Sequence, residues 1–155
     1  MNHDRLLAIR NALGRLAPPG GKKPPGARTD PNTLATRAST LEPINRLHME
    51  TFHSSDGGDT AGCIAGLAVT LFPRAAHKAA WNLIAQRRWR PGRLPPPISR
   101  IAAAILEAPH SDVCNLLYPA PGHYATDRIT PANAIAALDR FAAGDAPWPI
   151  DKHSR

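Results

Sequence analysis

Leu6, Ile9, Leu13 and Leu16 recur at the spacing of one helix face, while Arg5, Arg10 and Arg15 fall on other faces. Apolar positions three and four apart follow the 3.6-residue period, so an amphipathic helix is expected from about Asp4 to Ala17. The chain then enters PPGGKKPPGARTDP, residues 18–31, where the period is lost and Pro and Gly dominate. Such a stretch buries no core and reads as a flexible basic linker, which leaves residues 1–17 as a helix or arm, docked or mobile. Asp30-Pro31 has the form of an N-cap and first helical residue and predicts a short helix through about Arg37. Residues 42–58, EPINRLHMETFHSSDGG, show neither period and are expected to be irregular or extended, closing in a loop of turn formers.

Beyond that loop the pattern changes. Thr60 is a candidate helix cap, followed by Ile64, Leu67, Ala68 and Leu71 on one stripe and Ala65, Val69 and Phe72 on the reverse. A helix apolar on every side is buried on every side, so a central helix is expected over 60–72, stopped by Pro73. Gly62, Ala65 and Gly66 give it small faces suited to close helix–helix packing. Ala76, Ala79, Ala80, Leu83 and Ile84 predict a helix from Arg74 to Trp89, ended by RPGRLPPP. Ile98, Ile101, Ala102 and Ile105 predict another, closed before Pro109, and Ser111 to Tyr118 a short helix or turn. Thr130 as cap, Pro131 at the first helical position and Gly144 just past the end frame a last helix, with Ala134, Ile135, Leu138 and Phe141 inward. The expected fold is therefore all-α. Four to six short helices surround 60–72 in one domain, residues 32–148, with Pro-rich connections and a tail at 149–155.

Composition supports helices. Aromatic residues make up only 5% of the chain, and alanine dominates its apolar part, whereas strands favour β-branched and aromatic residues. The 17 prolines cluster at the connections. The net charge of +7 is uneven, with Lys and Arg but no acid between Thr60 and Leu106. That asymmetry points to an acidic partner, either nucleic acid or a protein surface. The two cysteines, Cys63 and Cys114, make no disulfide framework and no CxxC pair. The longest apolar run, Ala61 to Pro73, is shorter than the roughly 20 residues that span a bilayer. The N-terminal segment lacks a signal-peptide core. A cytoplasmic protein without a membrane partner is expected.

The segments LHM (47–49), GDTAGCIAGLA (58–68), NLLYP (115–119) and ITPANA (129–134), with Trp148, carry a resemblance. They resemble the pattern of uncharacterised small helical proteins of bacterial and phage genomes. That pattern has C-G-T-x-x-C-I-A-G-x-A followed by an I-T-P-x-x-A helix. The resemblance implies a small helical fold, a phage- or mobile-element setting and no particular activity. Thr60, Cys63, Gly66, Thr130 and Pro131 match it as structural positions. Gly58 and Asp59 depart from it, standing where the pattern has its first cysteine and glycine, so any chemistry of paired cysteines is lost here.

Candidate chemistry is sparse. Cys63 near a helix start, with His48 and His53 upstream, has the ingredients of a Cys–His hydrolase, but no orienting third group or oxyanion donor accompanies them. A buried cysteine packed as a small hydrophobe fits better. His48, His53, His110, Asp112 and His123 lack metal-site spacing, and no catalytic residue, metal or cofactor is assigned. GGK at 20–22 follows no strand and is no phosphate loop. The best lead is the basic segment 74–100, with His77 and Trp81 one turn apart, Lys78 beside them, and Arg87, Arg88, Arg90 and Arg93 following. Guanidinium groups pair with phosphates and an indole stacks on bases. In the competing reading Trp81 packs inward and the cations are a solvated face. The expected function is a non-catalytic accessory or interaction protein that engages an acidic partner through this face. Nucleic-acid binding is the alternative, and a Cys–His hydrolase at Cys63 the least favoured.

Overall fold

The computed structural model describes residues 1–18, 27–28, 37–56, 58–86, 98–119 and 128–148. Six α-helices lie among them: α1 (His3–Leu13), α2 (Ile64–Leu71), α3 (Pro73–Ala85), α4 (Ile98–Leu106), α5 (His110–Leu117) and α6 (Pro131–Ala143). Four short strands join them: β1 (Ala27–Arg28), β2 (Arg46–Leu47), β3 (Ser54–Asp56) and β4 (Asp59–Gly62), with a 3-10 turn at Ala38–Thr40.

The all-α expectation is therefore corrected. The strands form one mixed sheet in the order β1-β3-β4-β2. β3 runs antiparallel to both β1 and β4, and β2 pairs parallel with β4 in the register Arg46↔Ala61 and Leu47↔Gly62. The β3–β4 turn uses Gly58 at φ +95°, a conformation that favours glycine. The start of the apolar run is corrected with it. Thr60 is a strand residue rather than a cap: its N–H donates to Asn45 Oδ1 (3.1 Å) and its hydroxyl to Glu42 Oε2 (3.0 Å). Its carbonyl accepts the Asn45 N–H at 2.9 Å. With Thr60 so engaged, the helix begins at Ile64 and Cys63 takes the N-cap position.

Gly62 and Gly66 serve a contact other than helix–helix packing. A Cβ on Gly66 would overlap the Phe52 carbonyl, and one on Gly62 would lie 2.7 Å from the same oxygen. The segment before β3 is pressed onto the entrance of α2, and only glycine admits it there.

The helices follow their patterns more closely. Asn2 caps α1, whose Leu6, Ile9 and Leu13 are buried against α2, α4 and α6, so this helix is docked in the core. Ala17 continues it toward the sheet, receiving the Leu47 N–H at 3.1 Å. Residues 64–69 of α2 are all buried. Pro73 ends that helix and opens α3, since proline lacks the N–H that a first helical position leaves unused. α4 lies against α1, α2, α3 and α5. Thr130 and Asn133 cap α6 reciprocally, Pro131 occupies its first turn, and Gly144 closes it at φ +82°. Trp148 then folds back, its Nε1–H donating to the Leu116 carbonyl at 3.0 Å. The short helix expected through Arg37 (except Arg37 itself, which precedes the 3-10 turn in a non-helical conformation), most of the 18–31 linker, the end of the helix expected to reach Trp89 and the tail fall outside the described residues.

Overpacking against backbone has no flexible side chain to absorb it. Gly66→Ala is expected to lower stability by roughly 3 kcal/mol in urea denaturation, and Gly144→Ala, strained only by its positive φ, by about 1 kcal/mol. A Gly66→Ala midpoint equal to that of the unmodified protein would refute this placement of the Phe52 carbonyl.

Candidate functional site

On α3, Ala76, Ala79 and Ala80 are buried, so the inner face is made of small side chains. The opposite face carries Arg74, His77, Lys78, Trp81 and Asn82, all exposed. Trp81 points outward with 55% of its surface accessible, which decides against the inward-packed reading. Its ring meets His77 one turn earlier in a T-shaped contact, centroids 6.1 Å apart and planes at 68°. An edge-to-face contact of this kind covers only part of the indole. Arg87, Arg88, Arg90 and Arg93 lie outside the described residues, so the structure brings together only His77, Lys78 and Trp81 of the expected face and adds Arg74. No acidic residue occurs on this helix.

Cys63 occupies the N-cap of α2 and is buried, 3% accessible. Burial pushes its thiol up to about 11, while the backbone N–H groups of Gly66 and Ala65, turned toward the sulfur, pull the other way. They close no capping hydrogen bond. Removal of water from the thiolate outweighs the favourable helix end, so at neutral pH the group is a thiol and behaves as a small hydrophobe. His48 and His53 are also buried, and His53 Nε2 lies 3.0 Å from the Glu42 carbonyl oxygen. This geometry gives little support to a nucleophile at Cys63.

A different polar cluster was not singled out in the sequence. Ser99 on α4 is buried among the isoleucines, and its Oγ lies 2.9 Å from His110 Nε2 at the start of α5. The same nitrogen lies 3.3 Å from Cys114 Sγ, one turn along α5. Burial raises the Tyr118 phenol above its ordinary value, helped by the nearby Cys63 and Cys114 sulfurs and opposed by a hydrogen bond from Ser99. The readable signal was the four-residue step from His110 to Cys114, which places both side chains on one helix face. The partner helix was not readable.

Among the described residues, no group of three or more His, Cys, Asp or Glu side chains is placed to hold a metal ion. No helix among them is long and apolar enough to cross a membrane. Comparison with family models, with characterised proteins and with solved structures found no match.

The raised Cys63 pKa predicts a pH dependence. An acid whose folded pKa exceeds its unfolded value keeps its proton longer when folded, so its contribution is complete below about 9 and is lost as pH rises toward about 11. The alkaline loss amounts to on the order of 2–3 kcal/mol. Urea midpoints at several pH values should fall less steeply for Cys63→Ala than for the unmodified chain, and parallel curves would contradict the assignment.

Proposed function

We propose that this protein is a non-catalytic interaction protein that engages an acidic partner through the outer face of α3. The observation that carries the reading is Trp81, a large aromatic held outward among Arg74, His77 and Lys78 on a helix without carboxylates. Leaving an indole in water sacrifices burial that a core position would have supplied, of order 1.5–3 kcal/mol for a large apolar side chain. A partner that covers the ring recovers it. Arg87, Arg88, Arg90 and Arg93 extend the positive charge along the sequence beyond Ala85. An accessory role in a phage or mobile-element setting is supported only by the motif resemblance.

The exposed indole favours a second, narrower reading, in which the acidic partner is single-stranded nucleic acid. Unpaired bases stack on aromatic side chains for about 1–3 kcal/mol each, while nearby cations follow the phosphates. Carboxylates of a protein partner would pair with the cations but gain little from a flat ring.

Fluorescence anisotropy with labelled single-stranded and duplex oligonucleotides, and with an acidic polypeptide such as poly-glutamate, tests both readings over a range of salt. For duplex DNA, about five phosphate contacts predict a slope near −4 to −5 in log K against log salt. Replacing Arg87 and Arg88 by alanine should flatten it by roughly two. Trp81→Ala should weaken single-strand binding by about tenfold or more and duplex binding far less. Binding of poly-glutamate but neither oligonucleotide would keep the first reading and remove the second. No binding of any of the three at low salt would overturn both.

A further inference from the structure

We propose that the acidic partner of the α3 face is a second copy of this chain, which takes Trp81 into the groove between its α1 and α6. This identity of the partner rests on α3 being an interaction face. The groove has a volume of about 260 Å³ and is lined by Leu6 and Leu7 of α1 and by Leu138 and Ala142 of α6. Its polar residues are His3, Asp4, Arg10 and Asp139. Leu7 is left 54% accessible there, as uncovered as Trp81 is on α3. The Arg10 guanidinium is held by Asp139, Nε donating to Oδ1 at 2.6 Å and Nη2 to Oδ2 at 3.1 Å. Asp4 makes no ion pair among the described residues. In a chain of net charge +7, the groove thus sets an uncompensated carboxylate beside leucine side chains.

The two surfaces are complementary in three respects. The indole and Leu7 are both large apolar groups left in water, and each covers the other when they meet. An indole N–H can only donate and needs an acceptor once buried, which a rim carboxylate supplies. Lys78 and Arg74, exposed one and two turns before Trp81, bring positive charge to Asp4. A disordered acidic chain would answer the cations but leave the ring uncovered, whereas an apolar groove with a carboxylate answers both. α3 packs on α2, α4 and the 3-10 turn, while the groove lies between α1 and α6, so the contact joins unlike surfaces of two copies. Such a head-to-tail contact leaves one face and one groove free after each step, so association runs on into rings or chains. A contact of this small size belongs with weak, transient interfaces.

The test is sedimentation velocity of the full chain over a concentration series, at low and high salt. The average mass should rise with concentration at low salt and fall back as salt screens the charges. Trp81→Ala removes the anchor, and Leu7→Lys sets a like charge against Arg74 and Lys78. Both positions are exposed, so both variants should keep the native circular dichroism spectrum, and each should weaken self-association by roughly tenfold or more. Mixing the two variants is decisive. Trp81→Ala keeps the groove and Leu7→Lys keeps the face, so an equimolar mixture should form a dimer and nothing larger. A mixture that stays monomeric overturns the proposal, as does an unmodified chain that is monomeric at every concentration, or one whose association survives either substitution. A monomeric unmodified chain that still binds poly-glutamate or an oligonucleotide would overturn this proposal alone. One that binds neither would remove the α3 interaction face as well.

Discussion

The Phe52 carbonyl lies where side chains at positions 62 and 66 would otherwise be, and the joining of sheet to helices depends on that contact. Residues 48–53 carry the chain from β2 to β3, and their backbone rests on the entrance of α2 because Gly62 and Gly66 present no Cβ. β4 is thereby held between β2 and β3 with α2 running directly out of it. Ile44 closes on Gly62 from the side, so the contact is sealed with apolar surface. Arg46, buried in β2, reaches Asp59 at 2.6 Å and ties the first residue of β4 to the same unit. His48, Thr51 and His53 of this segment and Ser54 at the start of β3 are buried.

The helices were legible because their information is local. In α1 the apolar period alone picks out the buried residues, in α4 it finds Ile98, Ile101, Ala102 and Ile105 but not Ser99, Ala103 and Leu106, and at α6 the cap chemistry of Thr130, Pro131 and Gly144 marks both ends. The sheet was not, for an equally physical reason. Its strands are two to four residues long, too short to show alternation, and include Ser-Ser-Asp and Asp-Thr-Ala-Gly, which propensity assigns to turns. Asp59–Gly62 is a strand because it pairs with β3 and β2, and Asn45 secures it: its backbone pairs with Thr60 while its side chain accepts the Thr60 N–H and donates to the Gly58 carbonyl. That is a tertiary arrangement with no trace in local pattern, and it displaced the expected helix start by four residues.

The candidate site divides along the same line. The clustering of His77, Lys78 and Trp81 was visible in sequence, but the direction of Trp81 was not, because an indole satisfies either a core or a surface position. The neighbours decide it: Ala76, Ala79 and Ala80 bring α3 and α4 close together, and a ring inserted between them would force the helices apart. The outer residues of α3 are thus spared any part in the core, which leaves their chemistry free for another surface.

The two cysteines show how far environment outweighs residue type. Cys63 stands at a helix N-terminus, the position associated with reactive thiols, yet the favourable N–H groups of Ala65 and Gly66 lose to complete desolvation and the sulfur stays protonated. Cys114 lies in the middle of an ordinary helix, without that electrostatic advantage, but has an imidazole nitrogen in contact and partial access to water. A helix end acts through partial charges worth about 0.3–1 kcal/mol at an exposed site, whereas stripping water from a thiolate costs several times that. At Cys63 the burial of the sulfur therefore outweighs its place at the helix end.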